Sequence, residues 1–314
     1  MTYLMLLVGL ALLAGGGELL VRGAVGLARR FGVSPLMVGL TVVAFGTSMP
    51  EMVVSVDAAL RGSPGIAIGN IVGSNIFNVF AILGLAALIF PVVCSRRAIT
   101  RDVTVVVLAS LLLTGLMFTG HLSRLMGYVF IALLLANIVF TFRQERGHAH
   151  ADDDTKPLAL PMALGCIAVG LGLLAFGANL LVTNAIEIAK AMSVSDTVIG
   201  LTIVAAGTSL PEVAASVVAA FRKQADIAFG NIVGSNAFNI LGILGVTAVV
   251  SPIPVPMEML KLDVWVMIAA AAAMFLPLLT GYKIGRTMGV FFLGAYVVYV
   301  LWLLGINGVG PLAA

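Results

Sequence analysis

The sequence predicts an all-α polytopic membrane protein of ten transmembrane helices, built as two inverted five-helix repeats. Three observations carry that reading: a shortage of charge, ten apolar runs of spanning length, and a gapless internal repeat. Of 314 residues, 61% are hydrophobic and only 10% are charged, against roughly 25% charged in a soluble domain. The chain therefore lacks the polar surface to cover a water-facing body. A soluble α/β enzyme, a disordered chain, a nucleic-acid binder and a disulfide scaffold are all disfavoured on that ground. Cys94 and Cys166 sit singly in apolar or membrane-edge sequence, so neither a disulfide framework, nor a thiolate metal site, nor redox chemistry is indicated.

A bilayer core of about 30 Å takes roughly 20 apolar residues per helix. Such runs fall at 3–21, 34–60, 65–92, 103–120 and 125–142, then at 158–182, 197–221, 227–250, 262–280 and 287–305. The first run has neither a basic segment before it nor an A-x-A cleavage pattern after it, so it is expected to stay in the mature protein. The organisation is then a first five-helix repeat over 1–142, a linker over 143–157 containing HAHADDDTK, and a second, inverted repeat over 158–314. With the N-terminus outside, the inside connections hold Arg22, Arg29, Arg30, Arg96, Arg97, Arg101, Arg143, Arg146, Lys156, Arg222, Lys223, Lys283 and Arg286. The outside holds Arg61, Arg124, Lys190 and Lys261. That imbalance is a positive-inside signal; it puts both termini outside and the linker in the cytoplasm.

Adding 161 to a residue number aligns GLTVVAFGTSMPE (39–51) with GLTIVAAGTSLPE (200–212), and GNIVGSNIFN (69–78) with GNIVGSNAFN (230–239). Each half holds five spans, and five is odd, so matching helices must cross in opposite directions. The loops agree. Arg29 and Arg30 correspond to Lys190 and Ala191, beside Glu187 and Asp196, while Arg222 and Lys223 correspond to Arg61 and Gly62. Inverted repeats of this kind build many secondary transporters, with sites near the midplane where the halves meet.

Glu51 and Glu212 are the clearest ionisable residues within the spans, each in the repeated G-T-S-x-P-E. A carboxylate at that depth costs at least about 2.5 to 3.5 kcal/mol, and no equally deep Lys or Arg is available to pair with it. Metal ions are the indicated partners; the plain structural reading is a protonated Glu hydrogen-bonded between helices. Pro50 and Pro211 lack an N–H, so the carbonyls of Gly46 and Gly207 lose their helical donor and the turn should open. Carbonyls near Ala44, Thr47, Ala205 and Thr208 can then turn toward an ion, and Thr47, Ser48, Thr208 and Ser209 add hydroxyls. Helical spacing puts Thr47 with Glu51, and Thr208 with Glu212, on one face. The second motif brings Ser74 and Asn78 with Asn70 and Asn75, and Ser235 and Asn239 with Asn231 and Asn236. For these amides, interhelical hydrogen bonding and ion coordination stand as equal readings. Gly69, Gly73, Gly230 and Gly234 read as packing faces. An all-oxygen site with two carboxylates suits hard cations such as Ca2+ or Na+; Mg2+ holds its water too firmly to fit readily.

With both α-repeats in order and ten spans covering the chain, the sequence resembles the cation/calcium exchanger superfamily, most closely its prokaryotic sodium/calcium antiporters. The resemblance implies exchange of Na+ for Ca2+ in a prokaryotic inner membrane, with several sodium ions per calcium, no resident cofactor and no obligate protein partner. It also implies four cation positions. Glu51 and Glu212, with the carbonyls of Thr47 and Thr208, would hold Ca2+. Ala44, Ser48 and Ser74 on one side, and Ala205, Ser209 and Ser235 on the other, would hold Na+. Asn78 and Asn239 would lie at the middle position. Some family members, potassium-dependent ones among them, have an Asp at the position of Asn239, so the neutral amide argues against potassium dependence. The calcium-sensing domains that eukaryotic relatives insert between the halves have no counterpart in the short linker.

Three other functions compete with exchange. A proton-coupled calcium exchanger usually has an acidic residue shortly after its Gly-Asn, where this chain has GNIVGSN. An intramembrane protease would use the Glu pair as acid and base, but such enzymes use Asp with a glycine motif absent here. A calcium channel would be expected to show an oligomeric pore signature. Outside the site, Glu18 reads as an intrahelical partner of Arg22, and Asp57 as an entrance charge or a plain surface acid. His148, His150 and Asp152 to Asp154 read as solvated linker, and Trp265 and Trp302 as interfacial anchors.

Overall fold

The computed structural model of the chain describes residues 2–145, 158–191 and 205–303, nearly all of them helical. In chain order the helices are α1 Thr2–Phe31, α2 Pro35–Thr47, α3 Met49–Leu60, α4 Pro64–Ile89, α5 Ala98–Met117 and α6 Arg124–Glu145. They continue as α7 Leu160–Ala191, α8 Ala205–Thr208, α9 Leu210–Phe221, α10 Ala225–Val250, α11 Asp263–Leu279 and α12 Arg286–Leu303. Among the described residues, seven helices are long and apolar enough to span a bilayer, or eight when the bent pair α2 and α3 counts as one span; α9 and α11 are shorter apolar helices. The linker's His148, His150 and Asp152 to Asp154, and residues 197–204, which open the seventh predicted span and the second copy of the G-T-S-x-P-E repeat, lie outside the described residues.

Two helices run further than hydropathy indicates. The first run ends by apolarity at residue 21, yet α1 continues through Arg29 and Arg30 to Phe31. The positive φ of Gly32 stops it, with Val33 N–H closing on Ala28 O at 3.0 Å. A helix satisfies its own backbone beyond the hydrocarbon as well as within it, so loss of apolarity marks the membrane edge and not the helix end. In the same way α7 passes residue 182 and continues to Ala191.

α1 and α7 lie along each other in antiparallel sense. Gly9 faces Gly177, Gly16 faces Gly170 and Gly23 faces Ala163, so the paired numbers fall on one helix as they rise on the other. A Cβ added at Gly16 would lie 2.9 Å from Gly170 O, so nothing larger than glycine lets the backbones approach this closely. Two more glycine pairs close the bundle: Gly84 of α4 against Gly289 of α12, and Gly127 of α6 against Gly245 of α10. Short antiparallel ladders stand at the two ends of α5. One pairs β1 (Val92–Val93) with β4 (Lys283–Ile284), the other β2 (His121–Leu122) with β3 (Ile253–Pro254). α4 and α10, which carry the second repeated motif, form the buried centre of the larger apolar core, with Ile71, Ile76, Ile232 and Ile240 fully enclosed.

Candidate ion-binding site

The break between α2 and α3 falls where the sequence puts it. Ser48 leaves helical geometry and the two helices bend by 46°, because Pro50 has no N–H for Gly46 O. Hydrogen bonding resumes across the break from Ser48 N–H to Ala44 O at 3.1 Å and from Met52 N–H to Ser48 O at 3.2 Å. The second half repeats the break at Ser209, between α8 and α9. On the crossing helices α4 and α10, wide π-type turns cover Asn78–Leu83 and Phe238–Ile243, a local widening common at functional sites.

These elements bring the expected residues together. Thr47, Ser48, Glu51, Ser74, Asn78, Ser209, Glu212, Ser235 and Asn239 are all no more than 5% exposed. Ala44 is buried beside them, while Ala205 opens α8 and half-buried Thr208 closes it. The bonds cross between the halves in reciprocal fashion. Ser48 Oγ donates to Glu212 Oε1 at 2.8 Å and Ser209 Oγ donates to Glu51 Oε1 at 2.8 Å. Ser48 Oγ also lies 3.1 Å from Ser235 Oγ, and Ser209 Oγ lies 3.4 Å from Ser74 Oγ. Thr47 Oγ1 lies 3.2 Å from Asn231 Oδ1 and 3.4 Å from Ala44 O, two acceptors that share its one proton, and the Ala44 carbonyl is already engaged by Ser48 N–H.

The Asn residues divide into two sets. Asn70 and Asn231 are interhelical struts. Asn70 Nδ2 donates to Ser55 Oγ (2.9 Å) and Glu51 O (3.1 Å), and Asn231 Nδ2 donates to Ser216 Oγ (2.9 Å) and Glu212 O (3.4 Å). Ser55 and Ser216 were not singled out from sequence, although each lies one turn beyond a glutamate and the offset of 161 relates them. Asn78 and Asn239 instead each leave an oxygen without a partner. Among the described residues, five buried side-chain polar atoms lack a hydrogen-bond partner, and four of them are Glu51 Oε2, Glu212 Oε2, Asn78 Oδ1 and Asn239 Oδ1. Buried polar groups are nearly always satisfied, so two symmetric pairs of orphaned oxygens are the candidate ligands of the site. Among the described residues no ion pair reaches either glutamate, and no cluster of three His, Cys, Asp or Glu side chains occurs. Carboxylate and amide oxygens without nitrogen or sulfur ligands fit a hard cation.

Cavities flank the glutamates without reaching them. One of about 370 Å3 lies between α2, α6 and α10 beside Phe45 and Phe238. Another, of about 840 Å3, surrounds Ser34, Arg97, Lys223 and Asp226. Neither is lined by Glu51 or Glu212, which at 1% and 2% exposure are enclosed by protein. The packing glycines divide: Gly230 and Gly234 press on the backbone of α2 at Leu36 O and Leu40 O. Within the described residues, Gly69 meets only Met259 Cε, and Gly73 has nothing within 4 Å.

Residues set aside from sequence find structural partners. Glu18 takes Arg22 at 3.3 Å, as expected, and is also held by Arg222 from the end of α9 through two hydrogen bonds. Asp57 pairs with Arg61 at 2.6 Å on an exposed surface. Cys94 and Cys166 are free thiols, and Trp265 is half-exposed, donating Nε1–H to Leu260 O at 2.9 Å.

Comparison with known proteins gives matches over nearly the whole chain. The family model described as sodium/calcium exchanger protein matches residues 1–143 and 162–305. CaxA of Alkalimonas amylolytica is 38% identical over 307 residues, covering 93% of this chain and 95% of its own. Sodium/calcium exchanger MaX1 of Methanosarcina acetivorans is 32% identical over 347 residues, covering 96% and 98%. Solved structures of the sodium-calcium exchanger NCX_Mj are similar at a TM-score of 0.84 and 32% identity, covering 96% of this chain and 98% of that one. The chain belongs to the sodium/calcium exchanger family of membrane transporters.

Proposed function

We propose that the protein exchanges Na+ for Ca2+ across a prokaryotic inner membrane by alternating access, driving Ca2+ out of the cell without need of K+. The observation that carries this reading is the set of four orphaned, buried oxygens on Glu51, Glu212, Asn78 and Asn239. Two carboxylates balance one Ca2+ or two Na+, and a site of that charge enclosed in protein is costly to leave empty. Refilling before the protein switches face makes transport an exchange. Membership of the family supports these two ions as substrates, as do the soaks of NCX_Mj in Na+, Ca2+ and Sr2+. The relative YrbG of Escherichia coli, 33% identical over 310 residues, is named an inner membrane protein.

In this reading ten spans form two inverted halves, 1–142 and 158–314, joined by the cytoplasmic linker 143–157, with both termini outside. The antiparallel pairing of α1 with α7 supports the inversion, since each facing glycine contacts the mate of its neighbour along the helix: Gly9 faces Gly177, the mate of Gly16, and Gly16 faces Gly170, the mate of Gly9. Glu51 and Glu212 with the Thr47 and Thr208 carbonyls hold Ca2+. Ala44, Ser48 and Ser74, and Ala205, Ser209 and Ser235, hold Na+, and Asn78 and Asn239 line the middle. The transported ions are substrates, and no resident cofactor or obligate protein partner is needed. The neutral Asn239 supports independence from K+.

The test is 45Ca uptake into proteoliposomes under an imposed Na+ gradient, then under a pH gradient and with K+ added. Uptake should follow Na+ alone and fall to background in Glu51→Gln and Glu212→Gln. Uptake that ignores Na+ and follows pH identifies a proton-coupled exchanger; full exchange in both Gln variants removes the site assignment.

A further inference from the structure

We propose that Asn75 and Asn236 are positioning residues that hold the amides of Asn239 and Asn78 with oxygen, and not NH2, toward the cation. The inference rests on the ion site proposed above. An amide side chain is two-faced: its oxygen attracts a cation and its NH2 repels one, and a half turn about the last side-chain torsion exchanges them. A carboxylate has no such ambiguity. A transporter with neutral amides at the middle of its site therefore needs something to choose the face.

The hydrogen bonds make that choice in both halves. Asn236 Nδ2 donates to the backbone oxygen of Asn75 at 3.5 Å, which turns Asn236 Oδ1 outward as an acceptor. Asn78 Nδ2 donates to that oxygen at 3.0 Å, leaving Asn78 Oδ1 free. In the other half Asn75 Nδ2 faces Met267 Sδ at 3.8 Å, so Asn75 Oδ1 accepts from Asn239 Nδ2 at 3.1 Å and Asn239 Oδ1 is left free. All four side chains are buried, so no water competes for the NH2 groups. Each strut acts across the interface, from α4 to α10 and from α10 to α4, and the free oxygens are two of the four orphans. Outer partners of this kind typically change metal affinity by about 10- to 100-fold.

The experiment is a mutant cycle in proteoliposomes, reading the half-saturating Ca2+ concentration and the maximal rate separately. Asn75→Leu removes the acceptor and frees the Asn239 amide to rotate; half-saturation should rise about 10- to 100-fold with the maximal rate retained. Asn239→Asp supplies a carboxylate that needs no orientation, so Asn75→Leu/Asn239→Asp should return to within about two-fold of Asn239→Asp alone. A merely packing role for Asn75 would give no such rescue. The proposal is overturned if Asn75→Leu leaves half-saturation unchanged, or if the double variant is as impaired as Asn75→Leu. Should Asn75→Leu fail to fold, Asn236→Leu with Asn78→Asp runs the same cycle from the other half. Glu51→Gln separates the two layers. If that variant keeps full exchange, the ion site itself is misplaced; if it is inactive while Asn75→Leu behaves as wild type, only the positioning role fails.

Discussion

At the centre of the molecule the two halves repeat their serine–glutamate and asparagine–serine bonds at the same distances. Ser48 reaches Glu212 and Ser209 reaches Glu51, both at 2.8 Å, and each Asn strut holds its serine at 2.9 Å. Toward the membrane edge the likeness fails. The offset of 161 relates Asp102 to Asp263, but Asp102 is gripped by Arg101 Nε and Nη2 at 2.7 and 2.9 Å, while Asp263 accepts the Tyr299 hydroxyl at 2.9 Å. Leu262 stands where the first half has Arg101. Arg101 extends the grip through Nη1 to Glu145 at 2.7 Å, and Glu145 accepts from Ser34 Oγ at 2.5 Å, the residue that caps α2. In the proposed site, atoms that meet the ion present the same ligands from either side, whereas atoms at the edge need only hold each half's own helices. The symmetry is therefore local to the chemistry.

The largest expected effect lies in the asymmetric region. Arg101→Ala strips the guanidinium from two buried carboxylates, which should destabilise the protein by about 3–5 kcal/mol. Tyr299→Phe removes one hydrogen bond to Asp263 and should cost about 1.5–3 kcal/mol at most. Thermal midpoints in detergent rank the two. Equal losses would mean that the ion-pair cluster adds nothing to the packing around it. A smaller and symmetric effect belongs to the centre. Ser48→Ala and Ser209→Ala each remove a hydroxyl that touches the opposite glutamate, and each should raise half-saturating Ca2+ by about 10- to 100-fold, the range of a hydrogen bond to a charged group. A difference of more than about ten-fold between them would break the equivalence of the halves.

What was legible in the sequence follows the same division. Glu51, Ser48, Ser74 and Asn78 were found with their mates because a gapless offset makes the chemistry appear twice. Ser55 and Ser216 obey that rule but carry no mark of their own, since a serine one turn past a glutamate in an apolar helix looks like packing until its Asn partner is known. Arg101 and Glu145 are 44 residues apart in sequence with no repeat to flag them, and Arg101 read as an ordinary inside cation. The length of α1 was hidden for another reason: hydropathy reports where lipid ends, and Gly32, which ends the helix, gives no apolar signal. The π-type turns beside Asn78 and Asn239 leave no residue pattern of their own, because widening a turn by one residue changes hydrogen bonding without requiring a special side chain.

The smallest effect concerns one backbone position that the halves fill differently. After α3 the chain turns at Gly62 with φ of +70°, closed by Ser63 N–H on Ala58 O at 2.8 Å. After α9 the same turn is closed by Gln224 N–H on Ala219 O at 2.8 Å, and Lys223 holds the left-handed position at φ of +58°. A residue with a Cβ is disfavoured there by about 1–2 kcal/mol, so the second half stores strain that the first avoids. Lys223→Gly should release it, less the roughly 0.5–1 kcal/mol that glycine adds to the entropy of the unfolded chain. The net gain is about 0–1.5 kcal/mol, a rise in thermal midpoint of no more than about 3–6 °C. Gly62→Ala should lower the midpoint by a similar amount, and for conformational reasons alone, because a Cβ at Gly62 meets nothing within 4 Å. If Lys223→Gly instead lowers the midpoint, the ammonium or its stem is making a stabilising contact that outweighs the strain, and the two turns are alike in backbone but not in what holds them.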